Sequence, residues 1–295
     1  MKWGIQFANM GPFSEPDLAC YMAQTAEQAG FDFLVACEHI LIPSQYSPDY
    51  PFSHDGKLPN YDYSGDQVIM PDPLVWMAYI ASATKRIHLT TGVVILPLRN
   101  PVVLAKQLAT LDQLSKGRVS IGIGVGWLRE EFDAVGVPWE KRGARADEYI
   151  EAMRALWRDD AASFQGEFVS FKNSIMLPKP IHRRRVPIVI GGHGEIAARR
   201  AGRLGDGFFP AIFPNSELWK RLPGLIQTMR QTARDAGRDP DSIAITSGGT
   251  RKAEEVARFE EQGVSRLVIR VRGREPAEIR DELLRFGDAV IAKTA

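Results

Sequence analysis

The sequence predicts an α/β fold, an eight-stranded parallel (β/α)8 TIM barrel, and three observations carry the prediction. Short β-branched runs alternate with helical patterns from one end of the 295 residues to the other. The β-type runs number eight, the count that closes a barrel. Several of them stop at glycines on their C-terminal ends, the end at which parallel α/β proteins bind ligands.

Each element follows from its own residues. Strand one is WGIQFA from Trp3, and the helical pattern DLACYMAQTAEQAG after it ends on Gly30 as a C-cap. Strand two is FDFLVA from Phe31. The helix PLVWMAYIASAT leads to strand three, IHLTTGVV from Ile87, and NPVVLAKQLATLDQLS leads to strand four, RVSIGI from Arg118. After the helix ADEYIEAMRALW come PIVIGG from Pro187, the helix EIAARRAGRLG, and GFFPA from Gly207. The pattern ELWKRLPGLIQTMRQTARDAG precedes the last two strands, SIAITS from Ser242 and RLVIRV from Arg266. No linker or composition shift divides the chain, so residues 1–295 read as one domain.

Two segments break the rhythm. Glu38 to Asp72 is rich in Pro, Tyr, Ser and Asp and has no period; a connection of that length is functional or disordered. It leaves strand two on the C-terminal face, and Tyr46, Tyr50, Phe52, Tyr61 and Tyr63 give it the apolar surface of a lid. The second, SFQGEFVSFKNSIMLPKP from Ser163, reads as a hairpin turning near Gln165–Gly166 before strand five, suited to packing or an interface.

Composition excludes several classes. With 44% hydrophobic and 25% charged residues the chain is ordinary globular protein. Its 37 basic and 36 acidic residues leave no electrostatic footprint for nucleic acid. Cys20 and Cys37 lack ligand spacing and fit a reducing cytosol, and no apolar run approaches the ~18 residues that span a bilayer. The expectation is a soluble cytoplasmic protein.

Glu38 and His39 stand at the top of strand two, where a histidine beside a carboxylate can exchange protons near neutral pH. Adjacent residues on an extended chain face opposite sides, so the two need not touch each other. His39 packing at the mouth of the loop is the competing account. Gly92 and Val93 end strand three, where a bulge or tight bend is the plain explanation. Gly122, Gly124 and Gly126 in GIGVGW suggest a dinucleotide loop, but the spacing is G-x-G-x-G, and no helix is expected directly after it. Close backbone approach to a planar ligand explains these glycines as well. Gly191, Gly192 and His193 lead into a helix, an arrangement that binds phosphate through unpaired N–H groups, although Glu195 already answers the dipole and a tight turn is the alternative. The run His182–Arg185 precedes strand five and reads as a solvated loop on the far face; His88 reads as packing below the site, and His54 belongs to the long loop. No H-x-H or HExxH pairing, Schiff-base lysine or G-x-S-x-G elbow appears, which assigns the chemistry to a bound organic cofactor.

The block TGVVILPLRNPVVLAKQLATLDQLSKGRVSIGIGVGWLREEFDAVGVP resembles the luciferase-like monooxygenase superfamily, as does GGHGEIAARRAGRLGDGFFP from Gly191. DGKLPNYDY, PDPLVWMAYIASATKRIHL and RGARADEYIEAMRALW are similar to its coenzyme F420-dependent oxidoreductase branch. The resemblance implies a bacterial-luciferase-like barrel with insertions after strand two and before strand five, and often a homodimer. It implies a non-proline cis peptide at Gly92–Val93 backing the cofactor ring, Glu38 and His39 beside that ring, and Gly191 and Gly192 on the cofactor's phosphodiester. Sugar-phosphate dehydrogenases of the family carry Glu directly after the strand-four G-x-G; here that residue is Trp127, with Glu130 and Glu131 a turn further on. The expected activity is hydride transfer between the deazaflavin C5 and a small organic substrate, His39 supplying a proton. An FMN-dependent monooxygenase of the same fold and a ligand-binding barrel without catalysis are the alternatives.

Overall fold

A computed structural model describes residues 1–43, 69–182, 184–210, 212–214 and 216–294. The expected lid, with its tyrosines, Phe52 and His54, lies almost wholly outside these residues.

Nine strand segments form one parallel sheet: β1 (Lys2–Gln6), β2 (Phe33–Ala36), β3 (His88–Thr91), β4 (Val94–Ile95), β5 (Ile121–Gly124), β8 (Ile188–Gly191), β9 (Gly207–Phe209), β10 (Ala244–Gly248) and β11 (Arg266–Ile269). Their order is β3-β2-β1-β11-β10-β9-β8-β5-β4. β3 and β4 are two halves of one barrel strand. β3 pairs with β2, β4 pairs with β5, and a parallel bridge from Leu89 to Val119 closes the ring. Eight barrel positions result, each where a strand was read from the sequence. The expected hairpin is β6 (Ala162–Gln165) with β7 (Ser170–Ser174), antiparallel and outside the ring.

Helices clothe the outside: α1 (Pro16–Gln28), α2 (Pro73–Ala83), α3 (Pro101–Ser115), α4 (Arg129–Ala134), α5 (Arg142–Arg158), α6 (Glu195–Leu204), α7 (Leu222–Asp235), α8 (Ala257–Glu260), α9 (Pro276–Phe286) and α10 (Ala292–Thr294). Their starts are written in the sequence. Glu15, Asp72 and Asn100 cap α1, α2 and α3 through side-chain oxygens, each followed by a proline whose missing N–H costs nothing in the first turn. The sequence reading omitted α4; it opens two residues after Trp127, too short to show a period.

Alternation divides the buried side chains into two sets. Trp3, Ile5, Leu34, Leu89, Ile121, Ile188, Ile190, Phe208 and Leu267 face the helices and form the main core. Phe33, Val35, Val189, Phe209 and Val268 face inward and fill the barrel.

Two residues tie the stems of the 44–68 segment together. The fully buried Asn9 donates through Nδ2 to the carbonyls of Cys37 (2.9 Å) and Pro71 (3.0 Å), while its Oδ1 accepts from Cys37 N–H (2.9 Å). Arg99, just beyond β4, pairs with Glu38 on one stem and Asp72 on the other. Whatever the intervening residues do, they depart from and return to fixed points. Among the described residues, no helix is long and apolar enough to cross a membrane.

Candidate active site

The mouth of the barrel is built around the break in strand three. The Gly92–Val93 peptide is cis, as the resemblance implied. Gly92 N–H donates to Ala36 (2.7 Å), which holds the break against the end of β2. Thr91 Oγ1 then takes over the pairing that the ladder loses. It donates to the Gly122 carbonyl (2.6 Å) and accepts from the Gly122 N–H (2.9 Å).

The Val93 side chain turns into the mouth. A Cβ built on Gly124 would lie 2.7 Å from one Val93 methyl, and one on Gly191 would lie 2.5 Å from the other. A Cβ on Gly122 would strike the Thr91 carbonyl at 1.9 Å. The glycines that suggested a nucleotide loop are therefore absent side chains whose space strand three occupies. Gly126 and Gly192 differ, since their φ values of +82° and +130° are conformations that side chains resist. A short helix, α4, follows this loop after all, but the strand it follows is a barrel strand, so the dinucleotide reading gains nothing from it.

Glu38 and His39 diverge as alternation requires. Glu38, 5% exposed, accepts from the Ile95 N–H (2.7 Å) and from Arg99, whose Nε lies at 2.8 Å. Burial pushes its carboxyl above the usual carboxylate range, against the pull of Arg99 and the Ile95 N–H. Burial also acts on Asp72, but the Val75 N–H and Arg99 outweigh it and hold that carboxyl below its ordinary value. Both Glu38 oxygens are engaged in holding the segment after the break.

His39 turns the other way. Its Nδ1 lies 3.0 Å from Glu131 Oε2, and Glu131 Oε1 accepts from the Ile40 N–H at 2.7 Å. Glu131 is completely buried in the first turn of α4. The Trp127 ring meets the His39 ring edge-on, centroids 5.8 Å apart. Arg99 and Asn9 were not singled out by sequence reading. Glu131 was named there only as one of two acids a turn beyond Trp127; its pairing with His39 shows only once α4 is known.

At the β8 end, the Gly191–Gly192–His193 turn enters α6 through Gly194, which supplies no side-chain cap, and a Cβ there would meet open space. Glu195 does not fold back over the N-terminus; it lies 3.4 Å from Arg199. His193 is half-buried beside this turn. β5 and β8 are neighbours, so the α6 entrance and the Gly124–Gly126 turn share one rim. The end of β1 adds Gln6, inward-facing and 6% exposed, whose buried Oε1 has no hydrogen-bond partner among the described residues.

The remaining predicted positions fall away from this rim. His88 opens β3 at the opposite end, and Arg184 and Arg185 ahead of β8 pair with Asp160 and Asp206 on the surface.

The mouth is thus floored by one valine, ringed by glycines and flanked by a carboxylate-held histidine. The chain belongs to the luciferase-like monooxygenase family, whose model matches residues 10–258. It is 33% identical over 278 residues to an uncharacterized protein of Mycobacterium tuberculosis, covering 92% of each chain. An F420-dependent glucose-6-phosphate dehydrogenase of Amycolatopsis mediterranei is 30% identical over 261 residues, 85% of this chain and 72% of that one. An FMNH2-dependent dimethylsulfone monooxygenase of Pseudomonas putida is 30% identical over 191 residues, 64% of this chain and 47% of that one. Among solved structures, the coenzyme F420-dependent tetrahydromethanopterin reductase of Methanopyrus kandleri superimposes with a TM-score of 0.75 at 17% identity, covering 100% of this chain and 99% of that one. That likeness concerns the fold. The family comprises oxidoreductases and monooxygenases with both F420- and FMN-dependent members.

Proposed function

We propose that this protein is a coenzyme F420-dependent oxidoreductase that moves a hydride between the deazaflavin C5 and a small organic substrate. The residues fit such a group. Val93 offers an apolar floor, Gly124, Gly126, Gly191 and Gly192 leave backbone rather than side chain at the rim, and the uncapped start of α6 suits a phosphodiester. The orphaned Gln6 carbonyl suits an N–H donor of the ring system. When bound, the deazaflavin supplies the hydride carbon. The chain's own contribution is to place the substrate against it and to hold a proton at His39.

The observation that carries the catalytic reading is the His39–Glu131 pair. A buried carboxylate on Nδ1 fixes the ring's orientation and leaves Nε2 as the group for the substrate. Glu38 is assigned the positioning of the segment after the strand-three break. Trp127 replaces the acid of sugar-phosphate dehydrogenases with an apolar wall, so the proposed substrate lacks that acid's partner.

The second reading is an FMN-dependent monooxygenase, supported by the Pseudomonas relative; the longer span shared with the F420-dependent dehydrogenase favours the first. A homodimer in the cytoplasm belongs to the same proposal, supported by exposed Val75 and Tyr79 on α2 and Val103 on α3. Fluorescence titration with oxidised F420 and with FMN tests the cofactor. Saturable F420 binding is expected; tight FMN binding with no F420 binding overturns the choice, and binding of neither returns the ligand-binding barrel.

A further inference from the structure

The end of the barrel opposite the proposed active site carries an unusual charge arrangement. Trp3 and Leu267 face the helices, so alternation turns Lys2 and Arg266 inward, and the register sets these two directly opposite each other. Leu89 likewise faces out, which turns His88 inward beside Phe33, its register partner. The Arg266 guanidinium lies over the Phe33 ring, 5.7 Å from its centroid. That ring occupies the space a side chain on Gly4 would fill, so it lies between Arg266 and His88 on the inner face of the sheet. The three side chains are reachable, because Lys2 is exposed and Arg266 and His88 are half-buried.

Its charges do not balance. Among the described residues neither Arg266 nor the Lys2 ammonium has an ion pair or hydrogen bond. Arg118, ahead of β5, adds a third positive charge, its guanidinium held by the carbonyls of Ala81, Thr84, Ile87 and Ser115. Asp32, ahead of β2, is the nearby carboxylate, and its Oδ2 accepts from the Trp3 N–H at 2.8 Å. His88 Nε2 is bonded to Ser120 Oγ (3.1 Å), which donates to Thr90 Oγ1 (2.9 Å).

We propose that this cluster is a second ligand site, taking an oxyanion group between Arg266, Lys2 and His88. A guanidinium and an ammonium with no acceptor among the described residues supply donors that a sulfate- or phosphate-type anion satisfies, and the guanidinium lies where solvent is partly excluded. The field is already felt by its neighbours. Burial first, then Arg266, Lys2 and Arg118, bring the His88 imidazole down to about 4, and burial lowers Arg266 itself. An anion there reverses that field. The site stands apart from the cofactor reading and holds whether or not F420 binds.

The test follows the His88 Cε1–H resonance through a pH titration in sodium sulfate and in sodium chloride at equal ionic strength. In chloride the midpoint is expected near 4; in sulfate it rises by about one unit, a tenfold tighter hold on the proton. Arg266→Met removes the sulfate response, and Lys2→Met, which changes an exposed residue, weakens it severalfold. Because the α6 entrance is a separate place for an oxyanion, the readout is confined to His88. Equal midpoints in the two salts, or a sulfate response that survives Arg266→Met, overturns the proposal.

Discussion

His39 and Glu38 are one position apart, yet one faces Glu131 and the other Arg99 and Ile95. Replacing His39 with Asn is expected to reduce turnover by about 10²-fold or more, with cofactor affinity little changed, because a proton-transfer group is lost and the bed is not. Glu131→Gln keeps the shape but removes the charge that orients the ring; a smaller fall in turnover with unchanged cofactor binding is expected. Steady-state kinetics beside fluorescence titration separate these from a folding defect. Val93 makes a purely structural prediction. Gly191→Ala forces a Cβ against its methyl and is expected to cost about 1–3 kcal/mol in denaturant unfolding. Val93→Ala in the same chain should recover much of it, a non-additivity that contact requires. At this scale the sequence showed which residues were unusual but not why. The glycines of GIGVGW and Gly191 stand out in the chain, whereas the valine that requires two of them comes from a different strand. Glu131 was legible only as one of two adjacent acids.

Strand three illustrates what is legible at the level of elements. IHLTTGVV reads as one strand, and it occupies one barrel position, but the break at Gly92–Val93 hands it from β2 on one side to β5 on the other. The patterns read from Pro73 and Asn100 begin where α2 and α3 begin, because Asp72, Asn100 and the prolines beside them carry their own hydrogen-bond logic. Short α4 was not, since six residues hold too few turns for a hydrophobic period. Arg99, between β4 and α3, ties Glu38 at the end of β2 to Asp72 at the start of α2. Arg99→Met would leave the Glu38 carboxylate buried without its partner, at a cost of about 3 kcal/mol at neutral pH. The sign with pH follows from the raised Glu38 carboxyl. In the variant the folded state holds the proton more tightly than the unfolded chain, so its stability falls as pH rises from the carboxylate range. The deficit against wild type should therefore be smaller at pH 4 than at pH 8 by chemical denaturation.

For the molecule as a whole, the alternation of strand and helix was enough to give the barrel, because each apolar run had only one way to bury itself. The C-terminal end showed itself through its glycines, but the inward charges at the base did not, since they lie among ordinary strand residues. His88 makes the base visible in solution. Its imidazole goes from 6.5 to about 4 on folding, so the unfolded chain binds more protons between those values. The His88 contribution is complete above pH 6.5 and is lost as pH falls toward 4, by an amount on the order of 3 kcal/mol. His88→Gln should flatten that part of the stability–pH curve while leaving the neutral-pH plateau in place, as followed by denaturant midpoints. The opposite end has a different consequence, set by Asn9 and Arg99. One carboxamide and one guanidinium anchor both stems of the 44–68 segment to the same bed that floors the site. Such an arrangement works as a double latch: losing either Asn9 or Arg99 would loosen two chain segments at once, one at the end of β2 and one at the start of α2.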